Sequence, residues 1–204
     1  MPTVSPSAKD NPKLSQLLDA AMDVFLRFGF KKTSMSDVAE EAGLSRQGLY
    51  FHFDTKEALF KATIEHWIHS MQQETRDAVS EPGKSLEARL LGAFDRSMGR
   101  TVGKVGAEAF DLAEASDQLA DGIMERALGQ FHALLVRTID EAVASDLSAK
   151  SGVCTSDRVD TLLAASMGLK HRTESREAFR RQMLTVVRVV LAPLKLKAAS
   201  KARS

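Results

Sequence analysis

TSMSDVAEEAGLSRQGLYFHFDTKEALF, residues 33–60, is the stretch that decides the fold. Within it Val38, Ala39 and Ala42 recur at helical spacing, which predicts a short helix starting at Ser36 and burying those three side chains. Gly43 stops that helix, and Leu44 is expected to plug the turn from its apolar side. Ser45 stands where an N-cap belongs, ahead of RQGLYFHF, in which Leu49 and Phe53 are expected to face inward. Two short helices joined by a tight glycine turn make a helix-turn-helix.

Upstream, Leu14, Leu17, Leu18, Ala21, Met22, Phe25 and Leu26 recur at threes and fours from Lys13, predicting one amphipathic helix that ends near Phe28 and Gly29. Residues 1–12, MPTVSPSAKDNP, have no periodicity and read as a disordered arm. Downstream, a helix opens at Thr55 or Lys56, carries Phe60, Ile64, Trp67, Ile68 and Met71 on one stripe, and runs to about Val79 before Pro82 and Gly83.

Beyond it the pattern stays helical. Leu86, Leu90, Leu91, Phe94 and Met98 mark one helix, followed by a looser stretch with Gly99, Gly103 and Gly106 and a short segment, AEAFDLAEA. Ser116 and Asp117 are expected to cap a long helix lined by Ile123, Met124, Ala127, Phe131, Leu134, Leu135 and Ile139. SAKSGVCTSD reads as a loop. Helices over Val159 to Leu169 and Arg176 to Leu196 follow, separated by HRTES. The expected fold class is all-α. Its parts are an arm at 1–12, a three-helix helix-turn-helix domain at 13–55, a second helical domain at 56–196, and a flexible basic tail at 197–204.

Composition excludes several classes. With 44% hydrophobic and 27% charged residues, the chain has the balance of an ordinary globular protein. The longest apolar run, Val186 to Leu194, is broken by Arg188 and is too short to cross a bilayer, so no membrane partner is expected. A single cysteine, Cys154, and the lack of a secretory pattern after Met1 point to the cytoplasm. His66, His69, His132 and His171 are scattered without metal-ligand or catalytic spacing, so no catalytic residue, metal site or cofactor is assigned. The formal net charge is +1, and residues 1–56 hold seven Lys or Arg against seven Asp or Glu. Any affinity for nucleic acid must come from placement of charge rather than its sum.

The second helix of such a unit lies in the major groove with its N-terminal residues at base edges. Here those are Arg46, whose fork suits guanine, Gln47, which suits adenine, and Gly48, which lets the backbone approach closely. Thr33, Ser45, Tyr50, His52 and Lys56 are candidate phosphate contacts that would fix register. Phe51 has two readings, beside Tyr50 at the surface or packed against the first helix. Phe94, Met98, Phe110, Met124 and Phe131 are candidates to line a ligand pocket, with Arg89, Asp95, Arg96 or Glu108 as polar contacts; core packing explains each of the five equally well.

Taken together, Thr33, Val38, Ala39, Ala42, Gly43, Ser45, Gly48, Leu49, Tyr50, His52, Phe53, Lys56, Glu57 and Leu59 stand at intervals that strongly resemble the N-terminal domain of the TetR family of transcriptional regulators. Leu44 and Val38 replace the more frequent valine and isoleucine, both conservatively. The resemblance covers residues 13–60. It implies a homodimer on a near-palindromic double-stranded operator, usually a repressor, released when a small-molecule effector enters the C-terminal domain. It also implies that the last two helices pair with those of a second copy, through Leu162, Met167, Phe179, Met183, Val187 and Val190. An activator or a ligand-independent regulator could carry the same reader, and an enzyme with a helical catalytic domain is the alternative of a different class.

Overall fold

The computed structural model describes residues 12–102, 109–119, 122–143, 152–192 and 194. Nine α-helices and one 3-10 turn at Gly99–Thr101 occur among them, with no β-sheet. The helices are α1 (Pro12–Lys32), α2 (Met35–Glu41), α3 (Arg46–His52), α4 (Lys56–Ser80), α5 (Leu86–Ser97), α6 (Ala109–Leu119), α7 (Ile123–Ala142), α8 (Thr155–Arg172) and α9 (Arg176–Leu191). The expected arm, apart from Pro12, the stretch around Gly103 and Gly106, and the basic tail lie outside the described residues.

Two compact units account for these elements: Met1–Met71 with Lys104–Ala127, and Gln72–Gly103 with Leu128–Ser204. In the first unit α1 packs on α2 and α6, and α2 packs on α3. Its core gathers Leu17, Leu18, Ala21, Val24 and Phe25 of α1 with Val38, Leu49, Leu59 and Phe60. The Phe25 and Phe60 rings meet edge-on at 5.0 Å, and Phe30 lies 4.9 Å from Phe60. The α1 stripe therefore closes on the helices the key stretch encodes. Gly29 interrupts α1 at φ 79°, ψ 171°, a conformation that side-chain-bearing residues rarely adopt, which is why the chain turns where the sequence places the helix end.

The local chemistry corrects two helix starts and the placing of one turn residue. α2 starts at Met35 because Ser34, one turn ahead of Asp37, is the N-cap: Asp37 N–H donates to Ser34 Oγ at 3.3 Å and Ser34 N–H donates to Asp37 Oδ2 at 2.8 Å. These hydrogen bonds from Ser34 hold the Asp37 carboxyl below its ordinary pKa. Leu44 is exposed and does not plug the turn. Ser116 lies inside α6 with a buried side chain and caps nothing; the long helix α7 opens after Gly122.

In the second unit α9 packs against α5 and α8. Leu90, Phe94, Leu135, Ile139, Leu162, Phe179, Met183 and Val187 are fully buried there. Asp95 of α5 is buried beneath the first turns of α9. Arg176 grips it with Nε and Nη2, both at 2.8 Å, and Arg180 Nη1 also donates to it. Burial pushes the Asp95 carboxyl up, but the Arg176 hydrogen bonds and the charges of Arg180 and Arg176 outweigh it, leaving the pKa below the usual carboxylate range. A Cβ at Gly99 would stand 2.7 Å from Asp95 Oδ1, so glycine there leaves room for the clasp.

The two arginines are half-exposed and the carboxylate is not, which makes the clasp asymmetric. Asp95→Asn returns both arginines to water and is expected to cost about 1 to 3 kcal/mol. Replacing Arg176 and Arg180 together by Met strands a buried charge and is expected to cost more, about 3 to 5 kcal/mol, in urea unfolding at neutral pH. Because the folded pKa of Asp95 is depressed, its contribution is present above the unfolded carboxylate pKa and lost as pH falls through the folded one. The gap between wild type and Asp95→Asn should therefore narrow on acidification.

Candidate DNA-binding interface

Helix α3 has seven residues, and its shape rests on three local features. Gly43 at φ 65° turns the chain after α2, while Leu44 N–H donates to Ala39 O at 2.8 Å. Ser45 Oγ then accepts from Gly48 N–H at 3.0 Å, capping α3. Leu49 is fully buried, and partly buried Phe53 packs on the same core.

With its inner face so anchored, α3 turns Arg46, Gln47, Tyr50, Phe51 and His52 to solvent. The Arg46 guanidinium lies 5.6 Å over the Tyr50 ring, one turn along the same face. Phe51 is 88% exposed, which decides between its two sequence readings in favour of the surface. Gly48 is half-buried, and a Cβ there would stand 3.2 Å from Ser45 Oγ, so the glycine keeps the cap of α3 uncrowded.

Thr33 and Lys56 are engaged within the protein. Thr33 is buried and its hydroxyl donates to Gly29 O at 2.6 Å, across the break in α1. Lys56, at the start of α4, donates from Nζ to the carbonyls of Phe30 and Thr33 at 2.9 Å and of Lys31 at 3.4 Å. The same ammonium sits 4.5 Å over the Phe30 ring. Three hydrogens meet three carbonyls at a helix end, where a cation also suits the helix dipole. Sequence reasoning sees the lysine but not these acceptors, which lie 23 to 26 residues away.

The remaining expected sites divide between the units. Phe94 and Phe131 pack edge-on at 5.4 Å in the core of the second unit, and Ser166 Oγ approaches Met98 Sδ at 3.0 Å. Met124 is exposed and belongs to the first unit, whereas the side chain of Phe110 and all of Glu108 lie outside the described residues. Asp95 is held by Arg176 and Arg180, Arg96 donates to Glu74 O, and Arg89 donates to Val79 O. Of the residues expected at a dimer interface, Leu162, Phe179, Met183 and Val187 are fully buried within the chain itself and have no surface to offer a partner. Met167 is 51% exposed and Val190 is half-buried, so these two retain surface. The stripe of α9 is wide because it fills its own unit's core.

No group of three His, Cys, Asp or Glu placed to hold a metal occurs among the described residues, and none of their helices is long and apolar enough to cross a membrane.

Two short helices joined at a glycine turn, the second capped and turning most of its side chains outward, form a helix-turn-helix in an all-α fold. A family model described as bacterial regulatory proteins, tetR family, matches residues 17–63. Over these residues the chain is similar to that family. It is 44% identical over 64 residues to the uncharacterized HTH-type transcriptional regulator YfiR of Bacillus subtilis, covering 31% of each chain. It is 32% identical over 77 residues to the HTH-type transcriptional repressor ComR of Escherichia coli, covering 38% of this chain and 37% of ComR. These matches thus span about a third of the relatives' lengths. At the level of fold, a transcriptional regulator from Rhodococcus sp. Rha1 matches with TM-score 0.66 at 20% identity, over 88% of this chain and 96% of that one. A TetR transcription regulator from Haloarcula marismortui matches with TM-score 0.68 at 15% identity, over 90% and 99%.

Lys56→Met is expected to lower stability by about 1 to 3 kcal/mol, since three carbonyls lose a charged donor. The salt dependence of DNA binding should be unchanged, as befits a lysine engaged with its own backbone. A slope reduced by about one would show that Lys56 neutralises a phosphate instead.

Proposed function

We propose that this protein is a sequence-specific, double-stranded DNA-binding transcriptional regulator, acting as a ligand-released repressor of a palindromic operator. The observation that carries this reading is the division of α3: Leu49 alone is buried, while Arg46, Gln47, Tyr50, Phe51 and His52 are presented outward. Arg46 and Gln47 take the base edges. Ser45, Tyr50 and His52 contact phosphates, and Thr33 and Lys56 hold the framework that aims them.

Two copies are needed because one seven-residue reader spans too few base pairs for useful specificity, whereas paired readers match a duplex repeat of about 34 Å. The solvent-facing sides of α8 and α9 supply the pairing surface. Met167 and Val189 are 51% and 67% exposed there, and a Cβ at Gly168 would meet nothing within 4 Å. A small-molecule effector held by the second unit acts on the first through α4, whose residues belong to both, by shifting the population between two reader spacings.

Selection of bound sequences from a random duplex pool tests the core of this reading, with a palindrome as the expected product. No enriched sequence would sink it. On the selected duplex, Arg46→Ala is expected to relax preference at one position per half-site, costing about 1 to 3 kcal/mol of discrimination. Equal weakening on every sequence would make Arg46 a phosphate contact. Val189→Glu is expected to convert dimer to monomer in sedimentation velocity while leaving the unfolding midpoint in place, since the side chain is already mostly exposed. A persistent dimer would move the interface elsewhere.

A further inference from the structure

Phe51 is the residue of α3 whose exposure the fold does not explain. Its ring is 88% exposed and meets the His52 ring edge-on at 5.6 Å. Leu49 supplies the buried anchor of the helix, so Phe51 adds no buried area to the core. The neighbours it shares the outer face with are Arg46, Gln47, Tyr50 and His52, all able to form hydrogen bonds. A lone apolar ring among polar side chains is not the contiguous apolar patch that a protein partner requires.

The position fits one chemistry in particular. Phe51 follows Gln47 by four residues and therefore lies on the same face, one turn further along. If Gln47 reaches a base edge, Phe51 lies at the floor or wall of the same groove. The major groove displays a single apolar group, the 5-methyl of thymine, and a phenyl ring is among the side chains that contact it. One helical turn is about 5.4 Å against a base step of about 3.4 Å, which puts the contact roughly one to two base pairs from the base read by Gln47.

We infer that Phe51 is a specificity-determining residue that reads the methyl group of a thymine in each half-site. This inference rests on the DNA-binding reading above and adds to it a base-reading contact made without a hydrogen bond. It also accounts for the exposed ring: the burial absent in the free protein is completed by the duplex.

The test uses the full-length protein and the duplex enriched from the random pool, in which each thymine is replaced in turn by deoxyuridine. Only a methyl group is lost, and no hydrogen-bonding group changes. At one thymine per half-site, wild type is expected to bind about fourfold more weakly, the value of one buried carbon. Phe51→Ala should bind the unmodified duplex more weakly than wild type does and should not distinguish thymine from deoxyuridine at that position. Because the ring is exposed, this variant is expected to keep the wild-type unfolding midpoint. Indifference of wild type to every deoxyuridine, undiminished sensitivity in Phe51→Ala, or an enriched half-site without thymine would each overturn the inference. Failure to enrich any duplex would instead overturn the DNA-binding reading on which it stands.

Discussion

Docking of α3 onto the rest of its unit is the interaction on which this protein depends. A helix of seven residues does not hold its shape in water, because the cost of nucleation is recovered only over a dozen or more residues. The order of α3 is therefore imposed from outside, by burial of Leu49, by the Ser45 cap and by the left-handed turn at Gly43. With the anchor confined to one fully buried side chain, most of the other positions are released from packing. They can carry groups chosen for what lies outside the protein.

Charge acts in the same structure by position rather than by amount. Residues 1–56 sum to zero, and the Lys56 ammonium is directed at three backbone carbonyls around the end of α1. Thr33 closes the break at Gly29 from within. The second unit solves a similar problem with a different group: buried Asp95 receives Arg176 and Arg180 and thereby ties α9 to α5. In both units a charged side chain ties together residues far apart in sequence, with backbone carbonyls as partners in the first and a carboxylate as partner in the second.

The likeness to known proteins follows this division. The family model matches residues 17–63, which hold α2 and α3 with parts of α1 and α4, and the related sequences align over 64 and 77 residues, about a third of the chain. Across 88% and 90% of the chain, likeness survives as fold at 20% and 15% identity. Helix packing there asks only for apolar volume on the right stripes, and many side chains satisfy it.

The sequence by itself determined the all-α class, the positions of the long helices and the helix-turn-helix, because hydrophobic period, glycine stops and small caps act over a few residues. The Ser34 and Asp37 capping box was equally legible, as a serine three residues before an acid, although the helix start read from Ser36 passes over it. Other features required the tertiary structure. Val187 and Val190 look alike along the stripe of α9, but one is fully buried within its own unit and the other keeps surface, because the exposure of a stripe depends on how much of it a neighbouring helix covers. Lys56 and Asp95 show the same limit through polar contacts. Their partners lie 23 to 26 and 81 to 85 residues away, and local periodicity carries no information about which distant carbonyl or guanidinium will arrive. Only the folded chain decides that, since side chains so far apart in sequence are brought together by helix packing and by nothing local.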